Sequence, residues 1–220
     1  MSSSINQKPL TIITGATVVR PGGLLSQETV VIEGNKILRI DSEAPGSLLL
    51  NRDDVEVIQA DGYILSPGLI DQHINGAFGV NFADATIDDI RGVLKKLPKY
   101  GITGIVPTII TAPLTDLLSA INTLEETIHL SQDGACQNLG IHLEGPLINP
   151  GYAGIHPKEH IKLHDFEDFS ALFSPNLKII TLAPETLPAD SQLISELTNR
   201  GIQVSAGHSG ATAEDMTKAI

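Results

Sequence analysis

Metal-ligating and proton-moving residue types recur in this chain at the ends of short apolar runs. Asp71 and His73 lie in "LIDQHING", Glu144 in "GIHLEGP" and His208 in "VSAGHSG". Glu144 follows the apolar stretch Gly140 to Leu143 and precedes Gly145 and Pro146, which break it. A carboxylate delivered to the end of a buried strand needs a cationic partner. A divalent ion shared with histidine is the chemistry that carboxylate and imidazole supply together. Each residue also has a plainer reading. Glu144 could pair with a lysine or cap a helix, and His73 could be an ordinary buried histidine. His208 could be a turn residue before a helix opening at Thr212, where Thr212 and Asp215 form a capping box. Their shared placement at strand ends is what favours a metal.

Two other candidates carry less. "HPKEH", His156 to His160, matches the H-x-x-E-H pattern of inverted zinc peptidases, which needs both histidines on one helical face. Pro157 keeps the residue before it out of the helical region, so His156 falls at or before the cap. His164 extends the spacing but reads as a solvated face. Cys136 in "SQDGACQN" has no histidine in a recognisable local pattern, and its polar neighbours suggest a surface loop. No G-x-S-x-G elbow occurs.

The elements that must position these residues fall into two styles. Residues 1–64 read as short strands with tight turns, at Gly34-Asn35 and again at Asp61-Gly62. This predicts a small β-sandwich part without chemistry of its own. From residue 65 to 220 the pattern becomes strand, polar end, helix. Apolar strands are expected at Leu65 to Ile74, Ile102 to Thr111, Leu139 to Glu144, Leu177 to Pro184 and Ile202 to Gly207. Amphipathic segments such as "TIDDIRGVLKKLPKY" and "PLTDLLSAINTLEETIHL" lie between them. Continuous apolar strands alternating with helices imply a parallel sheet covered on both faces. The expectation is an α/β fold, about five strands of a (β/α)8 TIM-type barrel, whose strand ends share one rim. A doubly wound open sheet is the alternative, but no Gly-rich phosphate turn follows the first parallel strand.

Composition excludes several partners. The 220 residues carry 14 Lys and Arg against 26 Asp and Glu, for a formal net charge of -12, and no basic block. Nucleic acid and anionic membrane are poor partners for that surface. No apolar run reaches the roughly 18 residues of a membrane span, and Met1 to Pro9 lacks the pattern of a signal peptide. One cysteine admits no intrachain disulfide. The expectation is a soluble, cytoplasmic protein.

"LSPGLIDQHINGAFGVNF", "GIHLEGPLINP" followed by "GIHP", "IITLAPE" and "GIQVSAGHSGAT", in this order, resemble the N-acetylglucosamine-6-phosphate deacetylases of the amidohydrolase superfamily. The resemblance covers the chain from the β unit to the last residue. It implies a β-sandwich formed by both chain ends around a (β/α)8 barrel, and removal of acetate from N-acetyl-D-glucosamine 6-phosphate in amino-sugar catabolism. It makes Glu144 and His208 metal ligands and puts Ile155 and His156 in the substrate pocket, although "YAGIH" departs from the family text before that histidine. At the first strand some members read H-x-H and hold two metals, others Q-x-N and hold one. This chain reads His73-Ile74-Asn75, and the expectation is one divalent ion, zinc or another transition metal. The third ligand and the catalytic aspartate of the family lie beyond residue 220, so no catalytic residue is assigned within the chain. The resemblance further implies a homodimer for a complete protein. The alternatives are an inactive truncated fragment or an amidohydrolase acting on a different amide.

Overall fold

The structure is a computed structural model that describes residues 9–23, 25–42, 54–128, 130, 134–161 and 169–219; His164 lies outside the described residues. The chain divides after Pro67 into two compact units.

The first unit is all β. A four-stranded sheet has the order β5-β4-β1-β6, from β1 (Leu10–Thr14), β4 (Thr29–Glu33), β5 (Lys36–Asp41) and β6 (Val55–Gln59). A three-stranded sheet has the order β3-β2-β7, from β2 (Thr17–Val19), β3 (Leu25–Gln27) and β7 (Ile64–Leu65). Leu10, Ile12 and Val31 form the buried centre of the larger sheet, with Val55 against them. The Gly34-Asn35 turn joins β4 to β5 as expected: Glu33 stands opposite Lys36, and Gly34 takes a φ of 59°. The expected Asp61-Gly62 hairpin does not form. The chain does turn there, with Gly62 at φ 79° and Tyr63 N–H donating to Ala60 O at 3.1 Å. However, β6 lies parallel to β1, and β7 lies parallel to β2 in the other sheet. A turn dipeptide specifies a bend; which strand receives the chain depends on where an open edge waits.

The second unit is built on a curled parallel sheet, β8-β11-β13-β14-β15. Its strands are β8 (Leu69–Ile74), β11 (Ile102–Ile110), β13 (Ile141–Glu144), β14 (Leu177–Leu182) and β15 (Gln203–Ala206). Short β12 (Gln137–Asn138) also lies parallel to β11, and β9 (Gly76–Ala77) with β10 (Val80–Asn81) makes a small antiparallel ribbon. The first expected strand, Leu65 to Ile74, is two elements. Leu65 ends β7 and Leu69 begins β8, with Pro67, which has no N–H to give a ladder, in the interval.

Helices cover one face of this sheet. α1 (Ile87–Lys96) begins with a capping box in which Thr86 and Asp89 exchange side-chain-to-backbone bonds, and α2 is Leu114–Ile128. α3 (Leu193–Asn199) and α4 (Ala213–Ala219) follow, and α4 opens on the expected Thr212/Asp215 box. Residues recurring at three and four, Ile90, Val93 and Leu94 on α1 and Leu117, Ala120, Ile121 and Leu124 on α2, pack with Ile105, Ile109, Ile141, Leu143, Ile180 and Leu182 from the strands. Because a strand alternates its side chains, the residues between these must point to the other face. That face is polar: His142 bridges Thr108 on β11 (3.2 Å) and Thr181 on β14 (2.8 Å), all three buried. Two residues beyond His142 on the same face is Glu144.

Candidate metal centre

Glu144 closes β13 at 6% exposure, and its two carboxylate oxygens face different histidines. Oε1 lies 3.0 Å from His208 Nε2, and Oε2 lies 3.1 Å from His73 Nε2 and 3.8 Å from His156 Nε2. One ligand atom from each of Glu144, His156 and His208 falls within 4.8 Å of the other two. The strand ends do converge, as the shared rim requires.

The protons distinguish the histidines. His208 Nδ1 is 2.8 Å from the carbonyl oxygen of Tyr152. A carbonyl only accepts, so Nδ1 carries the hydrogen, and in the neutral ring Nε2 is a lone pair. That lone pair points at Glu144 Oε1, another acceptor, 3.0 Å away. Two acceptors face to face call for a positive charge between them, a metal ion or a proton on Nε2. The arrangement is that of a metal-ligating histidine, whose other nitrogen donates to a carbonyl and fixes the tautomer. The separation also suits two ligands each about 2.0–2.2 Å from one ion. These residues therefore fit a divalent metal.

His156 has the opposite polarity. Its Nδ1 receives the backbone N–H of Thr111 at 3.3 Å and lies 2.8 Å from the Thr111 hydroxyl, so the ring hydrogen sits on Nε2, toward Glu144. Burial lowers its pKa; Glu144 pulls the other way, while His208 and His73 add to the lowering, and the ring stays neutral. It offers the site a donor where His208 offers a lone pair. Ile155 beside it is 84% exposed.

The remaining candidates separate clearly. Asp71 accepts the backbone N–H of His73 at 3.1 Å, shaping the end of β8, and does not join the cluster. Asn75 Nδ2 donates to the carbonyl of Thr108 at 3.4 Å. His142 lies under His73, edge to face at 4.9 Å; its Nδ1 donates to Gln72 O at 3.0 Å, and burial lowers its pKa. The peptidase pattern is absent as a helix: Pro157 is extended, only residues 158–160 make a 3₁₀ turn, and Ile161 is extended again. Cys136 is not on a surface loop. It is buried at 3% among the core residues under α1, its N–H donating to Leu94 O at 2.9 Å, and burial first, then Asp71, pushes its thiol up to about 11. Polar sequence neighbours concealed an inward-facing side chain.

Two residues escaped the sequence reading. Thr111, the residue after β11, is the hydrogen-bond partner of His156. Glu185, in "TLAPE" after β14, accepts from Asn149 Nδ2 (2.8 Å) and Gly210 N–H (2.6 Å) on Oε1, and from Ser209 Oγ (2.7 Å) on Oε2. Burial pushes its pKa up, but the bonds from Asn149, Ser209 and Gly210 prevail and hold it below the usual range. The signal was present, since Glu185, like Glu144, is a carboxylate delivered past the end of an apolar strand.

No family model matches the chain. Individual proteins do. It is 36% identical over 217 residues to N-acetylglucosamine-6-phosphate deacetylase from Homo sapiens, covering 92% of this chain and 50% of that protein. It is 32% identical over 217 residues to the protein of that name from Bacillus subtilis, covering 96% and 52%. The chain belongs with the N-acetylglucosamine-6-phosphate deacetylases. The crystal structure of the Pasteurella multocida deacetylase superposes with a TM-score of 0.80 at 28% identity, over 96% of this chain and 54% of that one. The fold is thus part of the TIM-barrel architecture expected for this family. The chain spans about half the length of the relatives it matches.

Proposed function

We propose that this chain supplies the metal-holding part of an amide hydrolase that releases acetate from N-acetyl-D-glucosamine 6-phosphate, leaving D-glucosamine 6-phosphate. The observation that carries the reading is the buried Glu144 carboxylate faced by the His208 lone pair at 3.0 Å. Glu144 and His208 would hold one divalent ion, zinc or another transition metal. When bound, such an ion lowers the pKa of water toward neutrality and polarises a carbonyl. His156 presents its Nε2 hydrogen to the same space, the polarity needed to bind and orient the acetamide oxygen. Thr111 keeps that hydrogen on Nε2 by donating to Nδ1. Ile155 would line the pocket. His73, on the other carboxylate oxygen, helps seat Glu144. The base that takes the proton from water and returns it to the departing amine is, by the family resemblance, an aspartate outside these 220 residues.

The compartment we infer is the cytoplasm, supported by the lone buried cysteine. Among the described residues no helix is long and apolar enough to cross a membrane. A homodimer is the assembly proposed for the complete protein.

Metal content after gel filtration, together with acetate release, tests the reading. The protein should retain about one divalent ion per chain, Glu144→Gln should lose it while keeping its circular dichroism, and His208→Ala should hold it more weakly. A Glu144→Gln protein that keeps the parent's metal content would sink the assignment. The coverage of half the relatives' length favours a second reading, a metal-holding part inactive by itself. Bound metal without acetate release would establish that one.

A further inference from the structure

His208 has a φ of 49°, in the left-handed region that side-chain-bearing residues seldom occupy. Such a conformation persists only where the surroundings impose it. Asn149 N–H donates to His208 O at 3.0 Å, and Tyr152 O receives His208 Nδ1 at 2.8 Å, so the segment after β13 grips both the backbone and the ring. Gly210 lies so close beneath Tyr152 that an added Cβ would stand 2.4 Å from the ring. The segments carrying Asn149 and His208 are joined a second time through the Glu185 carboxylate, whose oxygens hold Asn149 on one side and Ser209 and Gly210 on the other.

Resting on the metal reading above, we propose that Glu185 is a positioning residue for the metal centre: it bolts the segments after β13, β14 and β15 together so that the His208 lone pair is aimed at Glu144. It acts through its acceptor geometry and does not itself ligate. Its three donors come from the two residues that follow His208 and from Asn149, which already holds the His208 carbonyl. Loss of the carboxylate leaves the φ of 49° held only through Asn149 N–H and Tyr152 O, on a segment no longer tied to Ser209 and Gly210, and the imidazole then has other orientations open to it.

Acceptor geometry makes a specific forecast about the conservative variant. In Glu185→Gln the amide oxygen can still accept from Asn149 and Gly210, and the amide nitrogen can donate to the Ser209 hydroxyl, which accepts as well as donates. Glu185→Ala loses every bond. The experiment measures Co2+ affinity by competition with a chromophoric chelator, the visible d–d spectrum of bound Co2+, and urea unfolding of the metal-free protein. Glu185→Ala should bind Co2+ about 10 to 100 times more weakly, as loss of an outer partner does, with a shifted d–d band. Glu185→Gln should stay within about threefold of the parent, with the parent's spectrum. Ser209→Ala, which removes one bond of three, should fall between them and keeps the test open if Glu185→Ala does not fold. An alanine variant that binds Co2+ within about twofold with an unchanged band, or a glutamine variant as weak as the alanine one, overturns the proposal alone. A role in general stability only would lower the metal-free unfolding midpoint and leave the spectrum unmoved, which also overturns it. If the parent itself binds no Co2+, the metal reading fails and this one with it.

Discussion

Single side chains in this molecule are assigned by what their neighbours can donate or accept. His208 and His156 have the same ring and stand beside the same carboxylate. A carbonyl behind one and an N–H behind the other give them opposite polarity toward the site. Cys136 shows the reverse case, a reactive group made inert by its surroundings. With its thiol pushed up to about 11 from 9.0, almost none is thiolate at pH 8. We expect Ellman's reagent at pH 8 to leave the native thiol unmodified for hours and to react within minutes in 6 M guanidinium chloride, as ordinary unfolded thiols do. The sign of the linkage follows: the raised pKa favours folding fully below 9.0, and that contribution is lost as pH rises through about 11. Rapid modification of the native protein would show that Cys136 is not enclosed.

At the scale of an element, β13 does two jobs by alternation. His142 and Glu144 face the polar side, while Ile141 and Leu143 are fully buried against the helices. Function and stability are therefore separable within four consecutive residues. Leu143→Ala should cost about 2–5 kcal/mol, the range for opening a cavity in a packed core. It should leave metal stoichiometry in the folded protein unchanged. Urea unfolding followed by far-UV circular dichroism gives the first quantity and elemental analysis the second. A large loss of metal at full foldedness would mean that the two faces are coupled.

For the whole molecule, the consequence lies at the sheet's margins. Among the described residues β8 pairs only with β11 and β15 only with β14, so each presents one open edge. Leu69 and Ile70 on β8 are 62% and 57% exposed, and an apolar groove lined by Ile194, Ile202, Val204, Ala206 and Met216 runs beside β15. Open edges with apolar flanks template association with other chains. We expect the 220-residue chain to self-associate as its concentration rises, seen as growth in scattering mass, and Gln203→Lys on the β15 edge to reduce it by placing a charge there. A monodisperse monomer at all concentrations would show that these edges are covered.

Element types, their order and the strand-end positions of Glu144 and His208 were legible in the residues themselves. Helices declare themselves through a period near four and through caps such as Thr212/Asp215, and parallel strands through unbroken apolar runs; both are local properties of the chain. The Gly34-Asn35 turn was legible for the same reason. What stayed hidden is whatever depends on a partner distant in sequence. Asp61-Gly62 bends the chain, but β6 and β7 pair with β1 and β2, whose open edges no local pattern encodes. Cys136 carries a polar sequence context and a buried side chain because α1 lies over it. The tautomers of His208 and His156 are set by Tyr152 and Thr111, which lie 56 and 45 residues away. Glu185 shares the strand-end signal of Glu144, yet only the fold brings Asn149, Ser209 and Gly210 to its oxygens. Residue type and spacing say which groups a chain can offer to a site. Which lone pair meets which hydrogen is decided where separate strands end together.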